Sequence, residues 1–308
     1  MDRLADVIVC DIKSPRMSEI VREIESQPHV WAKAIERASA CAHLLPTRGA
    51  RTAVVGCGTS LFVAQAYSAL RESAGIGETD AFAASEAPTD RSYETVVVIS
   101  RSGTTTEVVR LLEALPQVTR TVAICGVSGT PVSRAADDTV VLEFADERSV
   151  VQTRFATSTL VMLRSSLGET LAMALDDGQR AIEIDLPIEP SEFDHFVFLG
   201  RGWTVGLANE AALKLREASG AWTESYPAME FRHGPISAAG ARTVVWTIGD
   251  VDETLAADAE ATGATVVSGR LDPLAELILI QRTAVALAEH NGLDPDHPQH
   301  LTRSVVLS

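Results

Sequence analysis

Short apolar, β-branched runs recur along the chain at 52–56 (TAVVG), 96–100 (VVVIS), 121–125 (TVAIC) and 139–143 (TVVLE). Runs this apolar are the signature of parallel strands covered on both faces. Between them, 59–74 and 105–115 carry apolar residues at the helical period. The alternation predicts βαβ units and an α/β fold: a doubly wound, mainly parallel sheet flanked by helices in three layers. The pattern then repeats, with strands at 196–200, 243–249 and 265–267 and helices at 203–219, 252–262 and 273–290. A helical stretch at 149–175 leads into 176–194, a polar segment with two prolines that predicts the joint between two similar lobes. Residues 17–45 read as a separate helical lead-in broken near Pro28. The expected organisation is a lead-in over 1–45, a first lobe over 46–180, and a second lobe with its tail over 190–308.

Composition narrows the function classes. The chain has 308 residues, 46% of them hydrophobic, and a net charge of −16. So acidic a surface argues against non-specific nucleic-acid binding and against anionic membranes, yet it permits a phosphorylated metabolite in a local pocket. The four cysteines form no CxxC pair, so neither a disulfide framework nor a cysteine-type zinc site is expected. The amino terminus, MDRLADVIVCDIKSPRM, lacks the basic and apolar regions of a signal peptide, and no apolar run reaches ~20 residues, which predicts a cytoplasmic protein.

Three segments could carry chemistry. VVGCGTSLFVAQ (54–65) is a strand, a glycine turn and a helix start, at which Thr59 and Ser60 could hold an anion. A short GxG is also the pattern of an ordinary β–α turn, so this segment alone is weak. VVVISRSGTTTEVVRLLEAL (96–115) opens a strand into Ser100, Ser102, Thr104, Thr105 and Thr106. Those are more hydroxyls than a helix cap requires. Together with helix N–H groups they suit a phosphate monoester, with Arg101 as an added cation. Thr104 and Glu107 have the spacing of a capping box.

The third segment runs from 198 to 235. Glu210, Lys214 and Glu217 follow i, i+4, i+7, so they share one helical face. The ordinary meaning of such spacing is a solvated, salt-bridged stripe. Two facts point elsewhere: Lys214 is one of only three lysines in an arginine-rich chain, and His233 follows in EFRHGP, an aperiodic loop with little core to satisfy. The tail histidines His297 and His300 flank Pro298 without a carboxylate pattern, so no metal is expected.

GCGTS, ISRSGTTTE, NEAALKLREASG, ESYPAMEFRHGP and DPDHPQHLTRSVVLS, in that order, resemble the double-SIS (sugar isomerase) family, and within it the isomerase half of glutamine–fructose-6-phosphate aminotransferase. The resemblance covers about residues 17 to 308. It implies a hexose 6-phosphate ligand with Ser100, Ser102 and Thr105 at phosphate-binding positions and Thr59 and Ser60 nearby. It further implies that Glu217 shuttles a proton between C1 and C2, that Lys214 stands beside it, and that His233 assists ring opening from the partner subunit of a homodimer. No cofactor is implied.

Two departures bear on the activity. The chain opens on the lead-in, so glutamine is not expected to be its own source of ammonia. Arg303 stands where the synthase has a Schiff-base lysine, and a guanidinium remains protonated and forms no imine. The expectation is a cofactor-free enzyme that interconverts phosphorylated ketose and aldose with release of an amine: an aminosugar-phosphate deaminase/isomerase or a fructosamine-phosphate deglycase. A non-catalytic sugar-phosphate sensor and a simple aldose–ketose isomerase are the alternatives.

Overall fold

In a computed structural model of the chain, residues 18–307 are described. The segment 1–17, with Cys10, Lys13 and the stretch read as lacking a signal peptide, lies outside them. The first sheet contains β1 (Thr52–Gly56), β2 (Thr79–Ala83), β3 (Thr95–Ser100), β4 (Arg120–Cys125) and β5 (Asp138–Val141) in the order β2-β1-β3-β4-β5. The second contains β6 (His195–Gly200), β7 (Trp222–Pro227), β8 (Thr243–Ile248) and β9 (Thr265–Ser268) in the order β7-β6-β8-β9. All neighbouring strands are parallel. In each sheet the chain first builds outward on one side, then crosses to the other. Ligand crevices in such sheets lie beyond the strand carboxyl ends at the reversal, here between β1 and β3 and between β6 and β8.

The helices are α1 (Glu19–Glu25), α2 (Gln27–Cys41), α3 (Thr59–Ser73), α4 (Thr106–Ala114), α5 (Pro131–Ala135), α6 (Arg154–Ser166), α7 (Ala172–Glu183), α8 (Thr204–Ser219), α9 (Glu253–Ala261) and α10 (Pro273–His290). The expected strands and most expected helices are present. Strands β2 and β7 were not expected. Both are sheet edges whose sequences, TDAFA and WTESYP, are half polar. An edge strand has one free side and needs no continuous apolar run.

The expected helix over 149–175 is two helices. Glu147 is buried, and its carboxylate accepts the N–H groups of Thr153 (2.6 Å) and Arg154 (2.8 Å), which sets the start of α6 at Arg154. The expected joint over 176–194 is shorter, because α7 continues to Glu183. Gly178 is no break there. A Cβ on it would stand 2.7 Å from the Trp31 ring, so glycine lets α7 lie against α2.

Nor does the lead-in pack separately. Trp31 is fully buried and its indole N–H donates to Thr157 of α6 at 2.9 Å, while Asp296 of the tail accepts the N–H groups of Glu19 and Ile20 at 2.8 Å each. The largest buried cluster accordingly joins α2, α3, α6, α8 and α10 with one face of each sheet. The expected capping box is absent as well: Thr105 is the N-cap of α4, and its side chain makes no cap bond.

The seam between the sheets is built by α3 and α8, each the first helix of its lobe. A Cβ on Gly206 would lie 2.5 Å from the Phe62 carbonyl oxygen, so the backbones touch at this point. Gly206 meets Phe62 and Ala66, while Glu210 and Lys214 meet Thr59, so the two helices run antiparallel across the contact.

Candidate active site

At the seam, α3 delivers the Thr59 hydroxyl to the charged face of α8. The Lys214 ammonium donates to Thr59 Oγ1 at 2.9 Å and to Glu217 Oε2 at 2.5 Å, and Thr59 in turn donates to Glu210 Oε1 at 3.2 Å. Nζ of Lys214 also lies 3.5 Å from Glu210. The side chain of Lys214 is 1% exposed and that of Glu217 21%, so the ammonium forms the floor and the carboxylate faces the opening.

Burial pushes the Glu210 carboxyl up to about 7, against the pull of the Lys214 ammonium. Burial alone would lower the Lys214 pKa, but the Glu210 and Glu217 carboxylates outweigh it and raise it. Lys214 is thus a fixed cation, held between Glu210 and Glu217 rather than free as a nucleophile. The spacing i, i+4, i+7 therefore marks a buried network instead of a solvated stripe.

Lys214 and Glu217 open into a cavity of about 230 Å³. Thr59 and Thr105 line it on the side of the first lobe, and the tail residues Thr302, Arg303 and Ser304 cover it. Ser100 is buried behind it with its hydroxyl 3.4 Å from that of Thr105. Ser102 donates to Ser304 Oγ at 3.0 Å, and the Thr104 and Ser304 hydroxyls are 2.8 Å apart. The hydroxyl-rich turn after β3 thus reaches the cavity of Lys214 and Glu217 through Thr105, at the strand reversal between β1 and β3.

Several expected residues take other parts. Arg101 does not supply a free cation: its buried guanidinium donates to the carbonyls of Ser149 (2.9 Å), Val150 (3.4 Å) and Arg303 (2.6 Å). It ties the loop before α6 to the tail. Ser60 is buried at the start of α3 and does not line the cavity. The Thr59 hydroxyl both donates and accepts within the α8 network, which leaves it little capacity for an anion. His233 is exposed on the turn 228–233 and lines no part of this cavity within its own chain. Arg303 pairs with Asp146 at 2.6 Å.

The cavity also includes residues not singled out beforehand. Cys57 lies at the glycine turn, and Val150 and Gln152 lie in the loop held by Glu147. Gln152 Oε1 is buried without a hydrogen-bond partner. The only sequence signal for that loop is Thr153 ahead of a helical run with an acid six residues earlier.

No protein-family model matches the chain. It is 28% identical over 306 residues to glutamine–fructose-6-phosphate aminotransferase of Methanothermobacter thermautotrophicus, covering 83% of this chain and 52% of that protein. The chain thus spans about half the length of the curated relatives it matches. Among solved structures, glucosamine-6-phosphate deaminase of Thermotoga maritima superposes with a TM-score of 0.84 at 25% identity, over 94% of this chain and 100% of that one. The carboxy-terminal domain of glucosamine-fructose-6-phosphate aminotransferase from Francisella tularensis shares the fold, with a TM-score of 0.76 at 21% identity over 93% and 99% of the two chains. In its two parallel sheets and in the order of its motifs, the chain resembles the isomerase (SIS) half of these aminotransferases and the double-SIS sugar isomerases.

Proposed function

We propose that this chain is a cofactor-independent, cytoplasmic enzyme of hexose or hexosamine 6-phosphates that interconverts ketose and aldose and releases an amine. The observation that carries the reading is the Lys214–Glu217 contact of 2.5 Å at the wall of a cavity that Thr105, at the end of the hydroxyl-rich turn after β3, also lines. The phosphate lies at that turn, on hydroxyls and the amino end of α4. Carbons 1 and 2 of the opened sugar then reach Glu217, which moves a proton from one to the other. General acid–base catalysis of this kind contributes typically 10²–10⁴-fold. The Lys214 charge orients the Glu217 carboxylate and faces the negative charge that develops on the enediol oxygen.

His233, exposed in its own chain, assists ring opening in the site of the partner subunit of a homodimer. Arg303 is held by Asp146 and cannot form an imine, which favours amine release over amine transfer through a lysine adduct. The test is a panel of hexosamine 6-phosphates and fructosamine 6-phosphates, with ammonia, free amine and ketose all measured. Glu217→Gln should retain binding and cut kcat and solvent exchange of the C1 or C2 proton by about 10²–10⁴. Undiminished exchange in the variant removes Glu217 from the role.

A further inference from the structure

The loop from Arg148 to Thr153 brings Val150 and Gln152 to the cavity wall, and a buried acid of the lead-in grips it from behind. Glu23, on α1, is 3% exposed. One of its carboxyl oxygens, Oε1, accepts the N–H of Arg148 at 2.6 Å. The other, Oε2, is hydrogen-bonded to the Ser149 hydroxyl, which is buried with it. That hydroxyl also reaches the Val151 carbonyl oxygen at 2.9 Å, and this carbonyl has no other donor among the described residues.

These contacts need one proton more than the serine owns. A hydroxyl carries a single hydrogen, and an ionised Glu23 would be, like the Val151 carbonyl, an acceptor only. One of the two would then be left buried without a partner, which is costly. A neutral carboxyl removes the conflict: Oε2–H donates to Ser149 Oγ, Ser149 donates to Val151, and Oε1 accepts from Arg148. The surroundings agree. Glu147, on the loop side, is buried too, and its Oε2 has no partner. The cations that face Glu23 are engaged elsewhere. Arg154 on α6 donates to Ser26 and to the Asp146 carbonyl, and Arg101 after β3 donates to the carbonyls of Ser149, Val150 and Arg303. The Arg148 side chain is exposed and turns toward Glu19, while Asp296 of the tail sits at the amino end of α1. Burial, and then the Glu147 charge, push the Glu23 pKa up against the pull of Ser149, the Arg148 N–H and Arg154.

We propose that Glu23 is a positioning residue kept as a neutral carboxylic acid, and that its proton fixes the cavity-lining loop through Ser149 and Val151. When the proton leaves, the Ser149 hydrogen turns to the carboxylate and the Val151 carbonyl is released. Arg101 ties Ser149 and Val150 to the Arg303 carbonyl, so the loosening reaches the tail that covers the cavity. The loop is held below the folded Glu23 pKa and freed as pH rises through that value. The proton and the loop stand by themselves; the effect on turnover rests on the function proposed above.

Glu23→Gln supplies the same pattern at every pH, since its amide donates to Ser149 and accepts from Arg148. In the infrared difference between wild type and this variant at pH 6, the carbonyl stretch of a protonated carboxylic acid should stand on the wild-type side. Glu210 is common to both proteins and cancels. Above the pH at which that band disappears, amides 148–152 should exchange with deuterium about 10-fold faster in wild type than in Glu23→Gln. Turnover is read on the 6-phosphosugar that the panel above identifies. At pH 6, Glu23→Gln should keep kcat within about twofold of wild type, while Glu23→Met, which offers no donor, should lose about 10- to 100-fold. No band at pH 6, a band that titrates while the loop stays protected, or a Glu23→Met protein as active as Glu23→Gln overturns the proposal. If Glu23→Met fails to fold, the band and the exchange decide it. If no phosphosugar is turned over, the proposed function fails, and the band and the exchange still decide where the proton is.

Discussion

The Thr59 hydroxyl lies 2.9 Å from the Lys214 ammonium, across the line where the first helix of one sheet meets the first helix of the other. This bond joins the two lobes at the point where the proposed chemistry takes place. Thr59 accepts from Lys214 and donates to Glu210, so a single hydroxyl sets the distance between a cation and an acid that are both buried. The geometry of the candidate site depends on how two helices pack as well as on the residues of one of them.

Thr59→Val keeps the shape and removes the hydroxyl, leaving a buried ammonium one hydrogen bond short. Such a loss costs about 1.5–3 kcal/mol. The expected result is a drop in kcat of about 10- to 100-fold with KM for the phosphosugar little changed, and recovery in Thr59→Ser. A change confined to KM would instead make Thr59 a phosphate ligand.

Gly206→Ala tests the same seam from the packing side. Its Cβ would press on the Phe62 carbonyl at 2.5 Å, and backbone cannot move aside as a flexible side chain would. Overpacking of this kind costs about 1–3 kcal/mol. The melting temperature should fall, and kcat should fall with it as Thr59 is pushed away from Lys214. A variant with wild-type stability and activity would show that the helices separate without consequence.

Much of this arrangement was legible in the residue pattern. Buried strands announce themselves because both faces are covered, and Lys214 stood out because the chain otherwise prefers arginine. What was hidden depends on contacts distant in sequence. Gly178 looks like a helix breaker until Trp31 is placed against it, and the start of α6 is set by Glu147, a carboxylate outside the helix. Arg101 looked like a phosphate cation because its loop is hydroxyl-rich. Only the fold brings the Ser149 and Arg303 carbonyls within its reach. The edge strands β2 and β7 escaped because an edge does not demand apolar residues.

The raised Glu210 pKa makes stability depend on pH in a definite direction. Below its unfolded value of 4.5 the group is protonated in both states. Between 4.5 and about 7 the native state holds a proton that the unfolded chain has released, so stability falls as pH rises through this window. The loss is complete above the folded value and amounts to at most about 3 kcal/mol. Lys214 does not oppose this trend, since its raised pKa lies well above the window. Wild-type protein should therefore lose more melting temperature between pH 5 and pH 8 than Glu210→Gln. Parallel curves for the two proteins would place the proton elsewhere.

Cysteine chemistry offers a probe of the cavity itself. Cys57 lines it, and burial raises its thiol pKa, while the buried Cys125 thiol is pushed up to about 12. Thiolate is the reactive form, so iodoacetamide should modify Cys57 slowly at pH 7, faster at pH 9, and Cys125 at neither. A bound 6-phosphosugar should protect Cys57, as peptide mass spectrometry can show. Modification of Cys57 at the same rate with saturating ligand would put the ligand in another place.

Subunit exchange decides where His233 acts. The residue is exposed on the turn after β7 and absent from the cavity wall of its own chain, whereas Glu217 stands in that wall. If each site takes Glu217 from one protomer and His233 from the other, a dimer of His233→Ala with Glu217→Gln has one site with both defects and one with neither. Equal mixing and free exchange make half of the dimers mixed, so activity should recover to about a quarter of wild type from two inactive parents. Recovery should track the exchange rate, followed by native mass spectrometry of the same samples. If exchange is complete and no activity returns, or if the protein sediments as a monomer, His233 serves its own chain or lies outside catalysis. In that case ring opening would need a different acid, and His300, in the wall of the cavity, is the residue to substitute next.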